Sequence, residues 1–290
     1  MKLYTVKQKE QTLVAVKGTD NQLYALSSLG IPVTDMNELI LNWDKFKLDI
    51  QSKLNDKDAV PLSDYERMAP IITPLQDIVC LGVNYRNHIE ETVDVIDFTK
   101  KVATVYFSKG VNCCTAPDGI IPNYNFVDKL DYEVELGVIL KKDAFQISKE
   151  DAADYIFGYT IINDVSARDI QLKHQQWYLG KSLDGYTPMG PCIVTADELT
   201  HSDNLNIRCF VNGEKRQDSN TGYMITSINE AIAELSQGMT LKAGTILASG
   251  TPGGVGMGMQ PPVFLKEGDI IRCEIDAIGT LENTVGKKLS

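Results

Sequence analysis

Residues 131–140, DYEVELGVIL, set two carboxylates, Glu133 and Glu135, inside an apolar run with strand character. On a strand, alternate side chains share a face, so the two glutamates point one way while Val134 and Leu136 point the other. Two buried carboxylates side by side repel, because desolvation and like charge both disfavour the ionised pair. Either a cation lies between them or one of them holds a proton, and a hard divalent ion with oxygen ligands is the simplest remedy. A solvent-facing edge strand with two harmless glutamates is the other arrangement these ten residues allow. Asp164, delivered at the end of a strand that begins near Phe157, is the natural third oxygen ligand. Three carboxylates on an octahedral ion leave the remaining positions to water or substrate.

A second constellation follows the apolar strand Ile78 to Val83. If the turn after it becomes helical, His88 and Glu91 lie three apart and share a face. A carboxylate beside an imidazole raises its basicity and orients its ring, as a general base acting on water requires. An exposed helix with an incidental ion pair fits the same spacing. A helix beginning near Ala167 carries Arg168, Gln171, His174 and Trp177, although Arg168 could simply pair with Asp169. Residues 180–191 read as a loop whose only cation is Lys181, either solvated or, near three acids, a substrate clamp. The glycine-rich run 250–258 runs into Pro261 and Pro262 rather than opening a helix, which disfavours a dinucleotide fold and a nucleotide-dependent oxidoreductase. Its expected use is close backbone approach to a small anion, with the Thr251 hydroxyl as a donor.

The elements that must position these residues fall into two parts. Residues 1–70 read as a small N-terminal α/β unit. Two strands, 12–16 and 22–26, flank the turn 18–21, and a helix capped by Thr34 or Asp35 carries the stripe Met36, Leu39, Ile40, Trp43, Phe46, Ile50 and Leu54. Pro61, Pro70 and Pro74 punctuate the passage into a larger domain over 71–290. There, a strand is expected over 102–107, a capping box at Ser148 and Asp151, a hairpin turn at Asn212-Gly213, and a short amphipathic helix from Ser227 with Glu230 to Leu235. The mixed charge of residues 86–100 suggests a lid.

At 290 residues the chain can bury a sizeable core. A net charge of −11 argues against nucleic acid or an anionic membrane surface as the main partner, though not against an anionic substrate met by local cations. No apolar run reaches the ~18 residues of a spanning helix, and the start MKLYTVKQKE lacks a signal-peptide core, so a cytoplasmic location is expected. The six cysteines show no Cys-x-x-Cys spacing and read as reduced packing residues.

Six short motifs in order give the chain a resemblance. They are Gly-x-Asn-Tyr-x-x-His-x-x-Glu at 82–91, Phe-x-Lys at 107–109, Asp-Tyr-Glu-Val-Glu-Leu at 131–136, Asn-Asp-Val-Ser-Ala-Arg-Asp at 163–169, Gly-Lys-Ser at 180–182 and Gly-Thr-Pro-Gly-Gly-Val-Gly at 250–256. Over roughly residues 75–285 the chain resembles the fumarylacetoacetate hydrolase family, in particular its acylpyruvase and oxaloacetate decarboxylase branch. The resemblance implies a β-rich α+β fold, the mixed β-sandwich roll, in a homodimer. It further implies one Mg²⁺ or Mn²⁺ per subunit on Glu133, Glu135 and Asp164, and a His88–Glu91 dyad on a lid. Catalytic work then falls to His88, Glu91 and Lys181, and substrate contacts to Arg168, Gln171, Lys181 and Thr251. Gly110 and Leu183 depart from the family's usual proline and phenylalanine, which bears on pocket shape.

The implied chemistry runs through an enolate of a small anionic 2-oxo acid. Water activated by His88 would cleave the carbon–carbon bond of an acylpyruvate such as fumarylpyruvate or acetylpyruvate, and this is the first expectation because both dyad members are present. Oxaloacetate decarboxylation reaches the same enolate without water. Activities like those of 2-hydroxyhepta-2,4-diene-1,7-dioate isomerase and 5-oxopent-3-ene-1,2,5-tricarboxylate decarboxylase are further alternatives, and a non-catalytic protein binding a metal and a 2-oxo acid is the competing class.

Overall fold

The computed structural model describes residues 1–54, 60–92 and 103–289. Its centre is a ten-stranded mixed sheet. From one edge the strands run Leu23–Ala25, Gln11–Lys17, Lys2–Gln8, Met189–Thr195, Ile156–Asn163, Val134–Leu140, Ile246–Ala248, Ile78–Gly82 and Val105–Lys109, with Glu66–Arg67 pairing beside Lys2–Gln8. A five-stranded sheet, Glu214–Asn220, Asn206–Val211, Ile270–Ile275, Gly279–Leu289 and Ile120–Tyr124, is the second layer. The result is the strand-rich mixed fold expected from the sequence.

The strand Val134–Leu140 is buried along its whole length between two neighbours, which removes the edge-strand alternative. Its two faces meet different cores. Val134, Leu136 and Val138 pack with Ile207, Cys209, Ile271 and Leu281 of the second sheet. Ile139, on the face of Glu133 and Glu135, packs with Phe157, Ile193 and the N-terminal helices. The period of two therefore separates the chemistry from the intersheet core, as the alternation predicts.

The first 70 residues do not build a separate sheet. Leu3 lies opposite Ile193 in an antiparallel pair, so the N-terminal hairpin extends the central sheet. The expected helix is two: Met36–Leu41, capped by Asp35 accepting from Glu38 N (2.8 Å), and Trp43–Lys53, with Asn42 ending one and starting the other. The apolar stripe survives the break. Met36, Leu39, Ile40, Trp43, Phe46 and Ile50 are buried, and Trp43 meets Phe157 of the central sheet edge to face at 5.0 Å. Each such burial contributes about 1.5–3 kcal/mol.

Turn chemistry holds elsewhere. Asn212 (φ +52°) and Gly213 (φ +81°) form the hairpin turn, and Ser227 with Glu230 forms a reciprocal capping box on the helix Ile228–Ser236. Ser148 and Asp151 also bond reciprocally, but only a four-residue 3₁₀ turn, Ala152–Tyr155, follows. The helix expected from Ala167 stops at Lys173, and Lys181 sits not in a loop but at the end of a second short helix, Tyr178–Lys181. Of the expected lid, residues 86–92 are helical, and 93–100 lie outside the described residues, as does Val102 of the strand that begins at Val105.

Candidate active site

Backbone pairing brings the three acids together. Asn163 lies opposite Val134 in the antiparallel ladder, and just beyond its end Asp164 N donates to Glu133 O (2.8 Å). Asn163 Oδ1 also accepts from Glu133 N (3.0 Å). One oxygen from each of Glu133, Glu135 and Asp164 lies within 4.8 Å of the others, and all three residues are buried.

Cations already crowd this cluster. Lys181 Nζ donates to Glu133 Oε2 (2.6 Å) and Asp164 Oδ2 (2.7 Å). Arg168 Nη2 lies 2.7 Å from Glu133 Oε1, while its Nε donates to Asp131 Oδ2 (2.9 Å) and its Nη1 to Gln171 Oε1 (3.1 Å). Lys109, fully buried, donates to Asp164 Oδ1 (2.6 Å) and to the carbonyl of Lys181 (2.5 Å). Arg168 therefore pairs with Asp131 and Glu133, not with its neighbour Asp169.

The electrostatics divide the two glutamates. Burial raises the Glu133 pKa, but Lys181 and Arg168 outweigh it and hold the carboxyl at about 2. Glu135 goes the other way. Burial, then Asp164 and Glu133, push it well above the usual carboxylate range, and its backbone partner is Gly250 N (2.8 Å). Burial lowers the Lys181 ammonium's pKa, yet Asp164 and Glu133 raise it above the ordinary value. Four buried carboxylates (Asp131, Glu133, Glu135, Asp164) face three buried cations (Lys109, Arg168, Lys181), leaving one negative charge in excess unless Glu135 is protonated. The three-oxygen donor set and the uncompensated Glu135 fit a hard divalent ion, as the carboxylate spacing predicts.

The His88–Glu91 pair is formed. Both lie on the helix Arg86–Thr92, with His88 Nδ1 2.7 Å from Glu91 Oε1. A carboxylate on Nδ1 keeps the proton there and leaves the Nε2 lone pair for the cavity that His88 helps to line. The strand Ile78–Gly82 turns into this helix at Val83, a β-branched residue at φ +54°. Such backbone needs support from its surroundings. Asn84 supplies it, donating to Thr226 O and Ser249 O (2.9 Å each) and accepting from Thr226 N (2.8 Å).

The glycine-rich loop does bind anions, but the chain's own. Gly250 N donates to Glu135, Gly254 N to Glu91 Oε2 (2.6 Å), and Gly256 N and Met257 N to Asp131 (2.8 and 3.0 Å). The Thr251 hydroxyl, expected to face a ligand, donates to Val134 O and accepts from Gln217 Nε2. Its residue still borders the cavity that is also lined by His88, Glu133, Glu135, Arg168, Gln171 and Lys181. His174 and Trp177 separate: Trp177 borders the cavity with Phe107, whereas His174 is exposed at the helix end. Asp131, Lys109, Asn163 and Gln217 escaped the sequence reading. The first three stood inside recognised motifs, and nothing local announced their distant partners.

A strand-rich α+β fold holding a buried triad of carboxylates, an imidazole–carboxylate dyad and a cationic wall defines an enzyme with an acidic site suited to a divalent ion. Residues 77–286 match the model of the fumarylacetoacetate (FAA) hydrolase C-terminal family, and the chain belongs to that family. It is 46% identical over 226 residues to oxaloacetate tautomerase YisK of Bacillus subtilis (strain 168), covering 78% of this chain and 74% of that protein. Among solved structures it is similar to fumarylacetoacetate hydrolase EaFAH of psychrophilic Exiguobacterium antarcticum, with TM-score 0.82, 33% identity and 99% of each chain covered. It is also similar to maleylpyruvate hydrolase of Sphingobium sp. SYK-6, with TM-score 0.79, 25% identity and 99% of each chain covered. Among the described residues no helix is long and apolar enough to cross a membrane.

Proposed function

We propose that the chain moves a proton at the carbon beside the carbonyl of a small anionic 2-oxo acid, interconverting its keto and enol forms, with oxaloacetate as the first substrate to test. The observation that carries this reading is the His88–Glu91 contact at 2.7 Å, which engages Nδ1 and leaves Nε2 for a cavity that Glu133, Glu135, Arg168 and Lys181 also line. The 46% identity to an oxaloacetate tautomerase supports the same reading. Glu133, Glu135 and Asp164 would hold a divalent ion, either Mg²⁺ or Mn²⁺, which when bound supplies Lewis-acid polarisation of the 2-oxo group. Arg168 supplies charge for the substrate carboxylate, and Gln171 fixes the orientation of the guanidinium. His88 Nε2 takes the proton from the adjacent carbon and returns it to the oxygen or the carbon.

The hydrolysis expected from the sequence is the second reading, and the likeness to maleylpyruvate hydrolase favours it. There, the same Nε2 activates water against an acyl carbonyl. The test compares three rates with Mn²⁺ and with chelator: enol-to-keto conversion of oxaloacetate, pyruvate release from oxaloacetate, and pyruvate release from fumarylpyruvate. Chelator-sensitive enol conversion that outpaces both releases is expected. Fast pyruvate release from fumarylpyruvate without enol conversion would replace the first reading by the second.

A further inference from the structure

We infer that Asp131 is a positioning residue that ties the support of the His88–Glu91 dyad to the arginine facing the substrate. This rests on the proton-transfer reading for its catalytic consequence, though not for its structural one.

Asp131 is fully buried at the end of the two-residue strand Leu130–Asp131, two positions before Glu133. Its carboxylate accepts from three separate parts of the chain. Oδ2 takes Arg168 Nε (2.9 Å) and Met257 N (3.0 Å), while Oδ1 takes Gly256 N (2.8 Å) and its neighbour Tyr132 N (2.9 Å). Four donors on two oxygens saturate the group, so it has no capacity left for substrate.

What it holds matters more than that it is held. Gly256 and Met257 belong to the same loop as Gly254, whose N–H donates to Glu91 Oε2. The loop cannot drift without moving Glu91: a Cβ on Gly258 would stand 2.6 Å from the Glu91 side chain, and one on Gly256 would stand 2.7 Å from Asp131 Oδ1. On its other side, Asp131 fixes the Nε edge of Arg168, and the guanidinium reaches Glu133 and Gln171 with its remaining nitrogens. One carboxylate thus sets both the azimuth of the guanidinium and the height of the loop under the base. Asp131 acts only through the groups it holds, and removing a carboxylate that orients working groups in this way typically costs ~10–100-fold in activity or affinity.

The experiment is Asp131→Asn in the full chain, carried with Asp131→Glu, which keeps the charge and serves if the first variant does not fold. Far-UV circular dichroism and a cooperative melt establish folding. Amide hydrogen exchange and the ring nitrogen shifts of His88 are then read without substrate, so that they stand even if oxaloacetate is not turned over. Faster exchange at Gly256 and Met257 alone would mean a local structural role and would overturn the proposal. The expected result adds faster exchange at Gly254 and altered His88 ring shifts. With the reading of the reaction also right, kcat and kcat/KM both fall ~10–100-fold in Asp131→Asn. Altered exchange with a wild-type chain inert toward oxaloacetate would uphold the coupling and sink only the substrate.

Discussion

Lys181 seats its ammonium between two acids, 2.6 Å from Glu133 Oε2 and 2.7 Å from Asp164 Oδ2. It therefore neutralises two of the three oxygens' owners on which a divalent ion would draw, while Glu135 keeps no side-chain cation within hydrogen-bond reach among the described residues. Replacing one partner of a buried ion pair costs ~3–5 kcal/mol, because the remaining charges stay desolvated. Lys181→Met should lower the melting temperature strongly in chelator and recover much of that loss in Mn²⁺, since the ion then faces acids that nothing else compensates. Equal Mn²⁺ shifts in the variant and the wild type, by scanning calorimetry, would count against a metal seat beside Lys181.

Glu135 should set the pH dependence of divalent-ion binding if the three acids hold the ion. Its folded pKa lies above the unfolded carboxylate value, so the native state binds more protons than the unfolded chain. Its contribution to stability is present below the unfolded value and is lost as pH rises through the folded one. Glu133 has the opposite sign: lowered to about 2, its contribution is present above the ordinary range and lost as pH falls. A divalent ion needs both ionised. Mn²⁺ binding should therefore release a proton and tighten as pH rises above the ordinary carboxylate range. Calorimetric titration in buffers of different ionisation enthalpy reads this directly, and heats independent of the buffer would contradict it.

Glu91→Gln tests the dyad. The amide retains the shape and an acceptor for Gly254 N–H, but it can no longer stabilise charge that develops on the imidazole. The expected loss is ~10²–10⁴-fold in kcat, the usual contribution of general acid–base catalysis, with little change in the affinity for oxalate. Stopped-flow loss of the oxaloacetate enol, together with oxalate binding, separates the two. A fall in oxalate affinity as large as that in kcat would mean that Glu91 shapes the pocket more than the base.

How much of this was legible in the chain follows from range. Glu133 and Glu135 share a face because a strand has a period of two, His88 meets Glu91 because a helical turn does, and both relations are local. The same holds for the Asn212-Gly213 turn and the Ser227 capping box. Lys109 pairs with Asp164 across 55 positions and Asp131 with Arg168 across 37, and no pattern in either segment names its partner. The Thr251 hydroxyl shows the converse failure. A donor in a glycine-rich loop suggests a ligand, but the close packing that glycine permits brought Val134 O and Gln217 to it first. Nor does an N-terminal hairpin announce that its edge will pair with residues 193 and 194.

Two glycines with left-handed backbone allow the loop's role to be separated from strain. Gly254 (φ +105°) and Gly213 (φ +81°) both penalise an L side chain, by ~1–3 kcal/mol of backbone strain. At Gly213 an added Cβ meets nothing within 4 Å, whereas at Gly254 it would stand 2.0 Å from the Arg216 carbonyl oxygen, so the loop must move. That movement withdraws the N–H from Glu91 Oε2. Gly213→Ala should lose stability without losing kcat, and Gly254→Ala should lose both, with kcat falling at least ~10-fold once assays are run well below each variant's melting temperature. If the two variants lose kcat alike, stability alone explains the effect and the loop does not support the base; if only Gly254→Ala does, the backbone N–H under Glu91 is part of the catalytic apparatus.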